Sequence, residues 1–530
     1  MDFRLIEQNF KQKSLFSEDD VKIHFYAEIV KPILKAVNPL MANSSYKSEN
    51  VLHAGGRTDA TFQNISFEFK ELGHFDKEKG VEEALYGRKN TKDHGLYDYI
   101  ISDSNITGSD DEIEILSKLK KGIGIGFDGK SFLFARFISS NSKQPINTSK
   151  VKIKLPQKLN AVFYYEKKDM LSGIKRLALL LKQQDKMALN KQNVLSIINA
   201  KSDFVRSSIM DIYSEIRYNL NDSEGSNRVR TLFNEWNKVF GTLYGEDAKA
   251  TDFTEVSSKI RELYGIEAST DIDSKLYLFA MQTFFNIFLK LMIYSFLSQL
   301  IDPSFTCKQE LSKADIDRLF DGTNETGTRI VSNFFEAHFL EWFTYTCSGF
   351  EEKIVNKTLS IIDQFDLSTY VLKPENVQDI LQEVYMELIP DKMRHLMGEY
   401  FSPDWIVEHV LDMVGYDGNI DKKIIDPCAG SGPFLTQTIK RIIQHKQSTL
   451  TKEDILKITN NVVGFDVNPI SVVAAKANYI LIMFSAFFDN INDFDEPISI
   501  PVFVADSILS PVVYTEENGR VLNLKTSVGI

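Results

Sequence analysis

The segment from Ile424 to Phe434 constrains the fold of this chain more than any other stretch. It reads Ile-Ile-Asp-Pro-Cys-Ala-Gly-Ser-Gly-Pro-Phe. Two apolar residues lead into an acid, a loop of small residues follows, and Pro433 opens an apolar-periodic run. Proline is favoured at the first position of a helix, and glycines let the backbone turn sharply and approach a ligand. The segment therefore predicts a strand, a tight turn and a helix whose N-terminus faces a ligand.

The same pattern recurs twice downstream. Residues 462–465 predict a strand that ends at Asp466, and Asn468 can cap the helix after it. Residues 501–504 predict a third strand before Asp506. A plain strand-to-helix turn would explain one such segment, but three neighbouring strands that each end in an acid are typical of a nucleoside site at the carboxyl edge of a parallel sheet.

These residues resemble a known family of enzymes. The pattern D-P-x-x-G-x-G-x-F is similar to motif I of the S-adenosylmethionine-dependent DNA adenine methyltransferases, and residues 398–403 (Gly-Glu-Tyr-Phe-Ser-Pro) resemble the family's element beside the methionine part of the cofactor. The resemblance implies that Asp466 holds the ribose hydroxyls and that Asp506 lies near the adenine amine. The cofactor-binding residues it implies are Tyr400, Phe401, Pro403, Asp426, Ala429, Gly430, Gly432, Phe434, Asp466 and Asp506.

A second candidate site lies near the N-terminus. Residues 65–70 (Ile-Ser-Phe-Glu-Phe-Lys) alternate with period two, so Glu68 and Lys70 share one face of a predicted strand. Asp59 lies nine positions before Glu68, which leaves room for one antiparallel return. Two carboxylates can bind Mg²⁺, and a nearby lysine can orient the attacking water. A half-exposed strand with a solvated charged face is the alternative.

This set, Asp-x(8)-Glu-x-Lys, resembles the signature of the PD-(D/E)XK nucleases, with Thr58 where the name motif has proline. Residues 81–87 resemble the helix after the E-x-K strand, and residues 122–134 resemble the hairpin that closes the core. The resemblance implies that Asp59, Glu68 and Lys70 are catalytic. It also implies that Asp59 and Glu68 bind Mg²⁺, with Glu28 as a further metal-binding acid.

The middle of the chain shows no catalytic constellation. Residues 150–191 carry eleven Lys or Arg against three acids, so phosphate contact and a solvated connector both remain open. Residues 276–301 contain a single formal charge, Lys290, and could pass for a membrane span, but Gln282, Asn286 and Lys290 recur every four residues. Because a polar stripe is costly in lipid, this segment predicts a buried core helix and not a membrane span.

The order of these segments resembles the fused type IIG restriction–modification enzymes. The predicted fold is multidomain: an α/β nuclease core over residues 1–165, an all-α connector over residues 166–390, and an incomplete Rossmann-like α/β methyltransferase domain over residues 391–530. The resemblance implies Mg²⁺-dependent cleavage of double-stranded DNA and methylation of adenine N6. The net charge of −12 requires any DNA surface to be local, and three scattered cysteines suit the cytoplasm.

One element of the family is missing. The adenine methyltransferases grip the target base with an Asn/Asp-Pro-Pro-Tyr/Phe tetrapeptide, and none occurs in this sequence. The chain extends about one strand beyond Asp506, so we expect a partner chain to supply this motif and a target-recognition domain; a truncated or a degraded enzyme is also possible on the sequence. The alternative function is a non-catalytic, cofactor-sensing DNA-binding subunit of a defence complex.

Overall fold

The structure is a computed structural model that describes most of the 530 residues. The strands β1 and β2, defined below, are described by their backbone only. The residues outside the description are 38–46, 52–56, 63–64, 89–90, 92, 147–154, 183–185, 222–226, 245–249, 268–271, 303–304, 306–309, 324–328, 347–348, 368–379, 390, 392–393, 395–401, 447–449, 494, 508–511, 516–518 and 523–530.

The chain forms two compact units, residues 1–185 and residues 186–530, and each is described by itself. The expected domain boundaries at residues 165 and 390 stay predictions.

The first unit is built on a six-stranded mixed sheet whose strands lie in chain order. The pair β3–β4 is parallel and the other neighbouring pairs are antiparallel. The strands are β1 (Lys47–Val51), β2 (Arg57–Phe62), β3 (Ile65–Phe69), β4 (Ile123–Phe127), β5 (Ser131–Pro145) and β6 (Lys158–Asp169). The helices are α1 (Phe3–Lys11), α2 (Glu18–His24), a π-helical stretch (Phe25–Val30), α3 (Lys31–Val37), a 3-10 turn (His74–Asp76), α4 (Glu78–Tyr86), α5 (Leu96–Asp103), α6 (Glu112–Leu119) and α7 (Met170–Lys182).

The strand β3 is buried on both faces. All five of its residues are buried, because Phe67 and Phe69 pack against Phe25 on one face while Glu68 lies under Tyr99 of α5 on the other. The alternative of a half-exposed strand with a solvated charged face is therefore wrong.

Where the structure describes it, most of the basic segment 150–191 is regular structure, in which Lys158 and Lys167 are exposed and other cations are buried. It forms β6 and α7, and several of its cations point into the first unit. Lys168 and Arg176 lie 3.0 and 3.4 Å from Oε2 of Glu166. Burial opposes the charge on Glu166, yet Arg176, Lys168 and Arg136 hold the pKa of that carboxyl below its usual value. These basic residues therefore neutralise an internal acid.

The second unit is mostly helical and contains a small parallel sheet. Besides that sheet, the described part of the unit has two pairs of short strands. One is the parallel pair β7 (Met187–Ala188) and β8 (Phe365–Asp366). The other is the hairpin β12 (Val512–Thr515) and β13 (Gly519–Leu522). Its helices up to the small sheet are α8 (Lys191–Ile197), α9 (Asp203–Asn221), α10 (Asn227–Tyr244), α11 (Ala250–Tyr264), α12 (Ser274–Ile301), α13 (Lys313–Phe320), a 3-10 helix (Phe339–Tyr345), α14 (Phe350–Ile362), α15 (Ile380–Leu388) and α16 (Asp404–Met413). The remaining elements are β9 (Ile424–Asp426), α17 (Pro433–Lys446), α18 (Lys452–Asn461), β10 (Val462–Asp466), α19 (Pro469–Phe487), a 3-10 helix (Phe488–Asp493) and β11 (Val502–Val504).

The helix α12 is the buried core helix that the polar stripe predicts. Its three stripe residues meet polar partners: Gln282 accepts from Trp236 Nε1 at 2.7 Å, Asn286 donates to Glu341 at 2.8 Å, and Lys290 Nζ lies 2.5 Å from Glu341 Oε1. By length and composition α12 and α19 could each cross a membrane, but 94% and 89% of their most apolar windows are buried inside the structure.

The small parallel sheet has the strand order β11-β10-β9. Both crossovers advance in one direction, so the right-handed rule puts α17 and α19 on the same face. That face holds Val462 and Val502, both fully buried. At Gly464 between them, a Cβ would come within 2.7 Å of Leu435 Cδ1 on α17, so helix and strand approach each other closely there.

We expect Lys290→Met to destabilise the second unit by about 3–5 kcal/mol, because it leaves the carboxylate of Glu341 buried without its cation. Burial alone would raise the pKa of Glu341, but His338, Lys290 and Asn286 hold it below the usual value. This contribution to stability is therefore present above the pKa of the unfolded carboxyl and is lost as the pH falls through the lowered folded value.

Urea unfolding measures the change. The matched control is Lys259→Met, which breaks an exposed pair with Glu262 and should cost at most about 1 kcal/mol. Equal unfolding free energies for the two variants would contradict the role given to Lys290.

Candidate cofactor site and candidate nuclease site

The acids predicted from the sequence lie at one edge of the small parallel sheet. The strand β9 ends at Asp426 and β10 ends at Asp466, and Asp506 follows the end of β11 by two residues. In the register, Asp426 pairs with Gly464, and Asp466 pairs with Val504. The structure thus brings the carboxyl ends of the three strands together, as the sequence predicts.

The loop after β9 is fastened to β10 through Asp466. The N–H of Gly430 donates to Asp466 Oδ2 at 2.8 Å, and the N–H of Asn468 donates to Oδ1 at 2.8 Å. A backbone hydrogen bond of 2.8 Å from Ala429 to the carbonyl of Phe465 runs beside them. One carboxylate therefore holds two successive strand-to-helix loops in a fixed relation.

Two glycines adopt backbone conformations that other residues rarely take. Gly430 has φ +52° and Gly432 has φ +87°. A Cβ at Gly432 would lie 3.2 Å from the Cβ of Ala475 on α19, so the loop packs closely there. A Cβ at Gly430 would meet no atom within 4 Å, so this side of the loop faces open space where a ligand can approach.

Two side-chain amides, one buried and one half-buried, position the same loop, and sequence reasoning missed both. Asn478 on α19, which is 1% exposed, donates from Nδ2 to the carbonyl of Ser431 at 2.9 Å. The hydroxyl of Ser431 donates to Gln382 Oε1 on α15 at 3.1 Å. The only sequence signal was an amide within an apolar helix, which is too common to identify a loop contact.

The electrostatics of the site favour a cationic or hydrogen-bond-donating ligand. Asp426 Oδ1 accepts from the N–H of Cys428 at 3.1 Å, whereas Oδ2 has no hydrogen-bond partner in the part of the chain that the structure describes. Burial raises the pKa of Asp426, and the charge of Asp466 raises it further. Burial also raises the pKa of Asp466. A donor or a positive charge beside these two acids would stabilise their ionised forms.

The remaining predicted cofactor residues fall into two groups. Phe434 is the second residue of α17, Pro403 immediately precedes α16, and Asp506 is exposed. Tyr400 and Phe401 lie outside the described residues.

The candidate nuclease site is centred on Glu68. Its carboxylate, 4% exposed, is bonded to the ammonium of Lys70 and accepts from the hydroxyl of Tyr99 at 2.8 Å. Lys70 Nζ also lies 4.0 Å from Glu18 Oε2. The sequence predicted that Glu68 and Lys70 share one face, and the structure joins them; Tyr99 was not predicted.

For the other two predicted metal-binding acids, the structure describes only the backbone of Asp59 but both backbone and side chain of Glu28. Asp59 lies in β2, where Ala60 pairs with Phe67 of β3, so one position further along this register Asp59 falls across from Glu68. Glu28 lies in the π-helical stretch, and its carboxylate is 2.9 Å from Lys13 Nζ. Among the side chains that the structure describes, no three His, Cys, Asp or Glu residues form a metal-binding group.

Comparison with known proteins finds a family match around the candidate cofactor site. Residues 376–493 match the family model described as N-6 DNA Methylase, and that family implies S-adenosylmethionine as methyl donor. A comparison with curated proteins gave no significant match.

Two solved structures share low similarity with the chain. One is the cryoEM structure of a DrdV–DNA complex, with 11% identity, a TM-score of 0.27, and coverage of 96% of this chain and 40% of that chain. The other is a nuclease-deletion mutant of the Type ISP restriction-modification enzyme LlaGI with a DNA substrate mimic, with 16% identity, a TM-score of 0.26, and coverage of 56% and 21%. The chain spans less than half the length of either protein.

We expect Asp466→Asn to destabilise the loop after β9. The new amide NH₂ would face one of two backbone N–H donors, which leaves that donor unsatisfied at a cost of about 1–3 kcal/mol. Hydrogen exchange at Gly430 and Asn468, followed beside thermal unfolding, measures the effect. Asp495→Asn, at a side chain that is 92% exposed, is the matched control. Unchanged exchange at both amides would contradict the fastening role of Asp466.

Proposed function

We propose that this chain is a restriction–modification polypeptide that binds S-adenosylmethionine for N6-adenine DNA methylation and cleaves DNA with Mg²⁺. The observation that carries the methyltransferase part is the hydrogen-bonded loop of Gly430 beside Asp426 Oδ2, which has no hydrogen-bond partner among the described residues, within the region that matches the N-6 DNA Methylase family. The nuclease part rests on the bonded set of Glu68, Lys70 and Tyr99.

The residues at the sheet edge fit the cofactor. Asp426 Oδ2 accepts a donor group of the bound cofactor, which its buried position and lack of a described partner favour. Asp466 uses one lone pair on each oxygen for a backbone N–H, so each oxygen keeps a lone pair for a ribose hydroxyl. Asp506 accepts a hydrogen bond from the adenine amine. When bound, S-adenosylmethionine supplies an electrophilic methyl group to the target amine.

Methyl transfer needs a base-gripping Asn-Pro-Pro-Tyr element, supplied by further sequence of the same protein or by a partner chain, and the second face of the small sheet supports such a contact. The parallel register puts Ile425, Val463, Phe465 and Phe503 on the face opposite α17 and α19. Ile425 is 64% exposed, and the other three are partly exposed. Parallel sheets are normally covered on both faces, so this apolar surface suits burial by further chain.

In the proposed nuclease, Glu68 and Asp59 hold Mg²⁺ and Lys70 orients the attacking water. The Tyr99 hydroxyl donates to the second oxygen of Glu68, and this hydrogen bond restrains the orientation of the carboxylate. Bound Mg²⁺ lowers the pKa of its water and polarises the phosphate. The ammonium of Lys70 stays beside Glu68 and stabilises charge that develops on the phosphate.

The second candidate function is a non-catalytic, cofactor-sensing DNA-binding subunit. The pairing of Lys70 with Glu68 favours it, because a lysine that neutralises the acid can replace a metal ion. Cofactor binding without Mg²⁺-dependent cleavage would select this function over the enzyme.

We expect S-adenosylmethionine to protect Cys428 from alkylation. This cysteine is exposed and its N–H binds Asp426, so a cofactor against the loop covers it. Iodoacetamide labelling of the Cys428 peptide, read by mass spectrometry, should slow by the factor 1 + [L]/Kd that simple occupancy gives. S-adenosylhomocysteine should protect equally. A labelling rate that neither compound changes would argue against cofactor binding at this loop.

We expect Lys70→Ala to lower Mg²⁺-dependent plasmid cleavage by about 100-fold or more, because the phosphate loses its charge-stabilising partner. The control Lys130→Ala removes an exposed lysine that pairs with Asp76 in the same unit, and it should cleave normally. Thermal unfolding of both variants excludes misfolding as the cause. Unchanged nicking by Lys70→Ala would remove the nuclease assignment.

A further inference from the structure

A cavity of about 300 Å³ opens on the first unit, between the β5–β6 hairpin and the helices α4 and α5. It is not part of either site described above. It is lined by four aromatic residues, Tyr86, Tyr97, Phe137 and Phe163, together with Asp98. This volume lies at the lower end of the range for small-ligand sites, about 300–1,000 Å³.

The four rings form one contiguous cluster that reaches from the core to the surface. Tyr97 meets Phe163 edge-to-face at 5.0 Å and Phe137 at 5.4 Å, and Tyr86 lies 5.7 Å from both Tyr97 and Phe163. Tyr97 and Phe137 are 7% and 1% exposed, whereas Tyr86 is 46% exposed at the rim. The inner rings are therefore fixed by the core, and the rim ring is partly exposed to solvent.

The cavity also contains a polar group of defined chemistry. Asp98 is 4% exposed, and its Oδ2 lies 3.4 Å from Nδ1 of His94. A carboxylate only accepts hydrogen bonds, so the ligand that it recognises must carry a donor such as an amine. At the rim, burial and then the neighbouring Tyr165 and Glu82 raise the pKa of Tyr86, so its phenol stays protonated.

One helix connects this cavity to the candidate nuclease site. Asp98 and Tyr99 are consecutive residues of α5, and the Tyr99 hydroxyl donates to Glu68 at 2.8 Å. The Tyr99 hydroxyl also lies 3.5 Å from the carbonyl of His94, the residue whose ring meets Asp98. The first turn of α5 therefore holds the cavity's carboxylate and the partner of the candidate metal ligand together.

We propose that this cavity receives one unpaired nucleobase of a DNA strand, and that it takes an amino-bearing base in preference to thymine. Aromatic faces stack on any base, and the carboxylate of Asp98 accepts the exocyclic amine that cytosine, adenine and guanine carry and thymine lacks. The helix α5 that lines the cavity also carries Tyr99, whose hydroxyl donates to Glu68, so a base extruded near that candidate site fits the cavity. This inference rests on the proposed action on DNA but not on cleavage itself.

The first test measures stacking. Fluorescence anisotropy of the full chain with single-stranded dC oligonucleotides, without Mg²⁺, should show about tenfold weaker binding for Tyr86→Ala. The matched control is Tyr218→Ala, at a tyrosine of α9 that is 53% exposed. An equal affinity of Tyr86→Ala and Tyr218→Ala for dC would overturn the proposal.

The second test measures base selection. The unaltered chain should bind dC and dA oligonucleotides more tightly than dT of the same length. Asp98→Asn offers an amide that can accept or donate, so it should narrow this preference while affinity for dT is retained. A preference that Asp98→Asn leaves intact, or no preference in the unaltered chain, would overturn the role of Asp98. Free deoxycytidine monophosphate is also tested as a competitor. If it binds as tightly as the oligonucleotide, the cavity is a free-nucleotide site, and the proposal that it receives a base of a DNA strand is overturned.

Both tests are separate from the nuclease assignment. Cleavage by the unaltered chain and by Lys70→Ala is measured in the same preparations with Mg²⁺. Loss of base selection with cleavage intact overturns only the cavity's role, whereas base selection without cleavage overturns only the nuclease.

Discussion

The carboxylate of Asp466 accepts the N–H groups of Gly430 and Asn468, and the candidate cofactor site depends on these two hydrogen bonds. They fix the loop after β9 against the loop after β10, so the left-handed turn at Gly430 faces outward in one conformation. Burial raises the pKa of Asp466, and charge-assisted bonds of this kind offset that cost. Asn478 on α19 also donates a hydrogen bond to the carbonyl of Ser431 in this loop, so the candidate cofactor site and the helix packed against the sheet stabilise each other.

In the first unit, the acid Glu68 is likewise held by hydrogen bonds from neighbouring groups. Glu68 lies in a strand covered on both faces, and its charge is stabilised by Lys70 and Tyr99 instead of by water. A buried acid lowers the stability of the fold unless it is paired. The partners that Lys70 and Tyr99 provide therefore support a functional role for Glu68. The N-6 DNA Methylase match lies wholly within the second unit, so the two sites rest on independent observations.

Local signals in the sequence predicted the parts of the fold that depend on near neighbours. The strands ending at Asp426 and Asp466, the cap at Asn468 and the alternation that joins Glu68 with Lys70 all follow from spacings of a few residues. The stripe of Gln282, Asn286 and Lys290 predicted a buried helix, because polar groups at one helical face need partners inside a protein.

Contacts between distant segments could not be predicted in this way. Tyr99 lies 31 positions from Glu68, and Gln382 lies 49 positions from Ser431, so no local spacing marks either pair. The basic run at 150–191 was ambiguous for the same reason. Its cations Lys168 and Arg176 surround Glu166 only after β6 pairs with β5 and α7 packs on them.

The central claim, that the loop around Gly430 binds S-adenosylmethionine, is tested most directly by isothermal titration calorimetry of that cofactor into the full chain. We expect one binding site per chain, with affinity weakened in Asp426→Asn and weakened as the pH falls, because the raised pKa values of Asp426 and Asp466 bring their protonation closer to neutral pH. No binding heat, across several temperatures and with S-adenosylhomocysteine as well, would contradict it.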